Sequence, residues 1–174
     1  VMFKKAFGCA VLAAAAAAYV WFLSRPPEPF DPAELTPAEP LLDTYPGQVS
    51  LFCQPVRSST ALSLTFENHT DRIFYHGDPP DYERLDVELE GHWYTVPVKP
   101  YGTAGVGTET GPGETFTYEP LLEAGYGDLP DGRYRICFGI WDVTSRGDAP
   151  LGELDGIISV CFTVEQGKFA ADPG

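Results

Sequence analysis

The stretch Leu129-Pro130-Asp131-Gly132-Arg133-Tyr134-Arg135-Ile136-Cys137-Phe138-Gly139-Ile140-Trp141 decides how the chain is read. Pro130 fixes its own φ and Gly132 is free to take backbone angles closed to other residues, so Pro-Asp-Gly marks a tight turn. Side chains then alternate. Tyr134, Ile136, Phe138 and Ile140 share one face; Arg135, Cys137, Gly139 and Trp141 share the other. A period of two marks a strand with one face in a core.

Outward from this strand, short alternating runs recur. Residues 48–54, 61–67 and 72–75 read as three strands, and Asn68 and Asp71 suit the turn between the last two. Residues 82–90 and 93–98 form a hairpin about Glu90-Gly91-His92, and residues 114–118 add another strand. Residues 156–165 are the last, with Ile158, Val160, Phe162 and Val164 opposite Ser159, Cys161 and Thr163. Residues 99–113 show no strong pattern, residues 120–129 suit one helical turn, and residues 167–174 read as a frayed tail. Six to eight short strands with almost no helix imply an antiparallel all-β sandwich.

Composition sets the surroundings. The 174 residues carry a formal net charge of −14, which opposes contact with nucleic acid. Residues 6–23 are continuously apolar behind Lys4 and Lys5. About 18 residues at 1.5 Å each span roughly 27 Å, enough to cross a bilayer core. The expectation is a transmembrane anchor at 6–23 with residues 1–5 cytoplasmic; a cleaved signal peptide is the alternative. Residues 24–47 are rich in proline and acid, and read as an extended, solvated linker. A folded domain then covers 48–166.

Several pieces in this order resemble the bacterial immunoglobulin-like domains of exported Firmicute-type proteins. They are Leu62-Ser63-Leu64-Thr65-Phe66-Glu67-Asn68, Tyr75-His76-Gly77, Glu83-Arg84-Leu85 and Gly91-His92-Trp93-Tyr94-Thr95-Val96-Pro97. Further on come Gly111-Pro112-Gly113, Tyr126-Gly127-Asp128-Leu129 and Gly132-Arg133-Tyr134-Arg135-Ile136. The resemblance implies an immunoglobulin-like Greek-key sandwich of about seven strands, preceded by the one apolar helix. It implies no catalysis and no cofactor. It makes Tyr134 a tyrosine corner, whose hydroxyl bonds the backbone just upstream. It also puts Ile136 where antibody domains carry cysteine, so that apolar packing replaces the inter-sheet disulfide.

Candidate site residues are few. Cys137 and Cys161 sit opposite each other if their hairpin is symmetric about Ala149, which makes them a candidate disulfide; Cys53 with Cys161, and free thiols, are the alternatives. Trp141, Trp93 and Tyr94 are candidates for a sugar- or peptide-binding surface, Trp141 first because its parity places it on the outer face. His69, His76 and His92 fall at turns and read as solvated, with no metal site. Asp78, Asp81 and Glu83, and likewise Asp148, Glu153 and Asp155, are acidic loops that lack a calcium-loop pattern. No nucleophile motif is present.

The expected function is a membrane-tethered, extracytoplasmic, non-catalytic binding or spacer module. Its partner would be a protein or a cell-envelope glycan. An accessory or sensor domain of a membrane complex is the first alternative, and an acidic-cleft hydrolase the second.

Overall fold

A computed structural model describes residues 29–77, 83–102, 107–145 and 153–172. Eleven strands are present among them: β1 (Thr36–Pro37), β2 (Val49–Val56), β3 (Ala61–Asn68), β4 (Phe74–His76), β5 (Glu83–Leu89), β6 (His92–Thr95), β7 (Thr108–Thr110), β8 (Thr115–Tyr118), β9 (Gly132–Asp142), β10 (Gly156–Glu165) and β11 (Lys168–Ala171). One helical turn, α1 (Leu122–Tyr126), precedes β9. The larger sheet runs β1-β6-β5-β9-β10-β11, with β4 and β7 attached at the far end of β9. The smaller sheet is β2-β3-β8. All pairings are antiparallel. The chain changes sheet between β1 and β2, β3 and β4, β7 and β8, and β8 and β9, so the core lies between two layers.

β9 earns its central place by alternation. Tyr134, Ile136, Phe138 and Ile140 are fully buried and meet Phe66, Leu64, Leu62 and Phe162 in one core. The tyrosine corner is present: the Tyr134 hydroxyl donates to the Pro130 carbonyl at 2.7 Å. Ile136 is wholly buried at the position expected for it. The hairpin between β5 and β6 turns on Glu90 and Gly91, both at positive φ, the twist that suits a two-residue connection.

Four expectations need correction. The segment read as a solvated linker is, over its described residues 29–47, laid against the sandwich. Phe30 is 8% exposed and belongs to the core. Thr36 and Pro37 pair with Thr95 and Tyr94 of β6, an edge where a proline costs no ladder bond. The frayed tail is instead β11, returning along β10 through a turn at Gln166 and Gly167, both at positive φ. The patternless stretch contains β7, just before which Gly107 is required because a Cβ there would run into the Tyr75 ring. His76 is a buried strand residue of β4, not a solvated turn residue. The apolar run at 6–23, and residues 1–5 and 24–28 around it, lie outside the described residues. Among the described residues no helix is long and apolar enough to cross a membrane.

Asn68 does more than form a turn. Its amide donates to the carbonyls of Arg72, Thr110 and Gly111, and its oxygen accepts from Thr70 N–H and hydroxyl. It ties the end of β3 to the end of β7.

Removing the corner hydroxyl leaves a carbonyl short of a partner. Tyr134→Phe should lower unfolding free energy by about 1 kcal/mol with an unchanged denaturant slope, read by urea titration. An unaltered midpoint would mean that the hydroxyl bond contributes nothing.

Candidate functional site

The outer face of the larger sheet, the one turned away from the core, is where polar side chains collect. β5 supplies Arg84, Asp86 and Glu88; β9 supplies Arg133, Arg135 and Cys137; β6 supplies Trp93 and Thr95. The pairings Arg84↔Cys137, Asp86↔Arg135 and Asp86↔Thr95 put them side by side. Asp86 is 0% exposed. One of its oxygens accepts from the Thr95 hydroxyl at 2.9 Å, and the other from Arg135 Nε at 2.8 Å and Arg84 Nη2 at 3.1 Å. The Cys137 thiol adds a weaker contact at 3.4 Å. Arg84 Nε lies 3.0 Å from Asp86 but outside hydrogen-bonding geometry, and is a buried nitrogen with no hydrogen-bond partner. Arg133 bridges Glu88 and Asp172. Trp93 lies under both guanidiniums, 4.5 Å from Arg135 and 5.5 Å from Arg133.

A buried carboxylate on an outward face needs a cover, and residues 38–42 provide it. Ala38 N–H donates to the Trp93 carbonyl at 3.0 Å, Arg84 Nη2 donates to the Glu39 carbonyl at 3.0 Å, and Ile157 N–H donates to the Leu42 carbonyl at 2.7 Å. The strap therefore starts at β6, passes over Arg84 and reaches β10. Pro37, Ala38, Glu39 and Pro40 form a shallow hollow of about 450 Å³ with Trp93 and Arg135.

The candidate residues separate under this geometry. Cys137 faces Ser159 across the ladder and Cys161 faces Arg135, so the two are offset by one pair on the same face. Both thiols are free, as is that of Cys53, which donates to the Cys161 carbonyl at 3.3 Å. The opposition expected of Cys137 and Cys161 is thus corrected by the register. Burial, and then Asp86 beside it, push the Cys137 thiol up to about 12. Trp141 is on the outer face but only 3% exposed, packed beside Tyr75; the open binding surface expected there is closed. Tyr94 packs against the core. Trp93 and Tyr94 both line the outer hollow, so two of the three candidates are brought together there.

A second polar cluster, missed in the sequence, lies between the sheets. Glu83 is 7% exposed, and Tyr118 of β8 donates a hydrogen bond to its carboxyl, joining the two layers. Burial raises the Glu83 carboxyl to about 7, only partly offset by the Tyr118 bond. His76 sits among Phe66, Phe116 and Phe138, bonded to the Thr110 hydroxyl at 2.7 Å. Burial lowers its imidazole to about 4. Glu83 was legible only as a charge at a strand start; its register opposite Phe138 is what turns it inward.

Of the remaining acids, Asp155 accepts the Asp142 N–H, while Asp78, Asp81 and Asp148 lie outside the described residues. Among the described residues no three His, Cys, Asp or Glu side chains converge to hold a metal ion.

Two layers with strand neighbours β2-β3-β8 and β6-β5-β9-β10, closed by a tyrosine corner on β9, define an immunoglobulin-type sandwich. The sequence profile described as bacterial Ig-like domain matches residues 50–149, and the chain belongs to that family. No curated protein matches it. A crystal structure assigned as the putative ApaA protein of Bordetella pertussis is 17% identical, covering 86% of this chain and 100% of that one with a TM-score of 0.38.

Glu83 gives the site its pH signature. Its carboxyl titrates near 4.5 when unfolded and about 7 when folded, so the folded form holds the extra proton between those values. The stability tied to that proton is complete below about 4.5 and lost as pH rises through 7, a change of about 3 kcal/mol. His76, depressed from 6.5 to about 4, slopes the other way and masks part of it. The readout is therefore the difference between wild type and Glu83→Gln in urea unfolding. The variant should gain on wild type from pH 5 to pH 8; a constant difference would show that Glu83 does not titrate in this range.

Proposed function

We propose that the chain is a membrane-tethered, extracytoplasmic immunoglobulin-like module that acts by binding or spacing, with no chemistry of its own. The observation that carries this is the order of parts: an apolar run at 6–23 behind two lysines, then a sandwich of a family that is typically non-catalytic. The site's chemistry agrees. Asp86 is engaged by two arginines and Glu83 by a tyrosine. The two project from opposite faces of β5, because they are an odd number of residues apart, so they do not form an acid pair.

A partner would be a protein or a cell-envelope glycan, since the net charge of −14 disfavours nucleic acid. The strap favours a second reading, an accessory or sensor domain of a membrane complex, because it couples the tether directly to a sheet face. Secretion after cleavage within the apolar run is the alternative localisation.

The test uses cells expressing the full chain with a carboxy-terminal tag. Protease added to intact cells should remove the tag while the apolar segment stays with the membrane fraction. Full protection from outside would overturn the topology, and recovery of the tagged domain in the medium would replace the anchor with a cleaved signal. Enrichment of envelope glycan or of a stoichiometric protein by the domain separates binder from spacer.

A further inference from the structure

The strap is attached in single file. From its amino-terminal end the holds are Phe30 in the core, Leu35 packed against it, the Thr36–Pro37 pairing with β6, the Ala38 bond to Trp93, the Glu39 bond from Arg84 and the Leu42 bond from Ile157; Tyr45, edge-on to Phe74 at 4.9 Å, follows before β2. Pro32, Pro37 and Pro40 can donate no backbone bond. The next element, β2, is different in kind: it pairs with β3 over eight consecutive positions, Val49↔Asn68 to Val56↔Ala61. Load applied ahead of residue 29 meets the strap's holds one after another, and meets β2 only when they are gone.

What lies beneath does not depend on the strap for its partners. Asp86 keeps Arg84, Arg135 and Thr95, all within the larger sheet. Of the side-chain bonds around Asp86, only that from Arg84 to the Glu39 carbonyl is lost when the strap leaves. The cover and the covered are therefore separable, and Cys137, 2% exposed, is placed to report the separation.

We propose that residues 29–42 are a releasable strap: traction on the chain ahead of them peels them from the larger sheet and uncovers the face holding Asp86, Cys137, Arg135 and Trp93, while the sandwich stays folded. The source of traction rests on the anchor proposed above; the release itself is a property of the strap and is measured without a membrane.

Two readouts test it on the full chain in detergent micelles. Alkylation of Cys137 by N-ethylmaleimide, followed by peptide mass spectrometry, is compared in wild type, in the double variant Phe30→Ala with Ala38→Pro, and in Tyr134→Phe. Losing the core plug and one backbone bond should speed Cys137 labelling more than about tenfold, whereas Tyr134→Phe, which weakens the sandwich and not the strap, should leave it near wild type. A strap variant that labels at the wild-type rate, or a Tyr134→Phe chain that labels as fast as the strap variant, overturns the proposal. Single-molecule pulling between the two ends of the wild-type chain should give a first extension from about 14 residues, about 50 Å, before the sandwich ruptures. One concerted rupture overturns it. Neither outcome depends on the protease topology test, so failure of the anchor and failure of the strap are told apart.

Discussion

One carboxylate organises the outer half of this molecule. Asp86 points away from the core and yet meets no water. A charge-bearing group in that position is tolerable only when hydrogen-bonded and paired. The fold meets the requirement from the ladder itself, since Arg135 and Thr95 stand directly across from Asp86 on its two neighbours, and Arg84 is two residues along the same strand. Desolvation offsets most of what such a pair gains. Its main consequence is geometric: the arginines turn inward along the sheet, Trp93 is stacked against them, and a flat surface is left on which a strap can lie.

How much of this was legible follows from which faces the pattern reports. The core face of β9 was legible in full, because Tyr134, Ile136, Phe138 and Ile140 alternate with shorter or polar residues and the Pro-Asp-Gly turn fixes where the strand begins. The bounds of β10 and the hairpin at Glu90-Gly91 were legible for the same reason. The tyrosine corner came from family resemblance, and the Tyr134 bond to Pro130 matches it. Alternation reports only one layer of cover, however. It marked Cys137 and Trp141 as outward and could not say that the strap and Tyr75 would close over them.

The misses share a physical cause. Residues 29–47 have the composition of a spacer, and their hold on the sheet runs mostly through backbone carbonyls, which composition does not reveal. Phe30 was the available signal, a large apolar residue among prolines and acids. β11 was hidden because four residues are too few for a period, though Gln166-Gly167 between two apolar runs was a usable hairpin cue. His76 was read by its neighbours Gly77, Asp78 and Pro79 as a turn residue, while its aromatic surroundings come from Phe66, Phe116 and Phe138, distant in sequence. The register of Cys137 and Cys161 depended on a loop length that a symmetric hairpin could not supply.

The strap changes what the proposed tether would do. A free linker from residue 24 to 47 would hold the domain up to roughly 70 Å from an anchor and leave it free to turn. With residues 30–47 held on the sandwich, only residues 24–29 lie between the apolar run and the first packed side chain, Phe30. Six residues of chain span at most about 22 Å. On the reading that residues 6–23 cross a membrane, the domain is therefore held close to the surface, and any force on it enters through the segment that covers Asp86. A spacer gains nothing from that arrangement, because the length that would give it reach is spent against its own sheet. A domain that must register the position of its anchor, or present one face only when pulled, needs such a connection, which tilts the balance from spacer toward the accessory or sensor role.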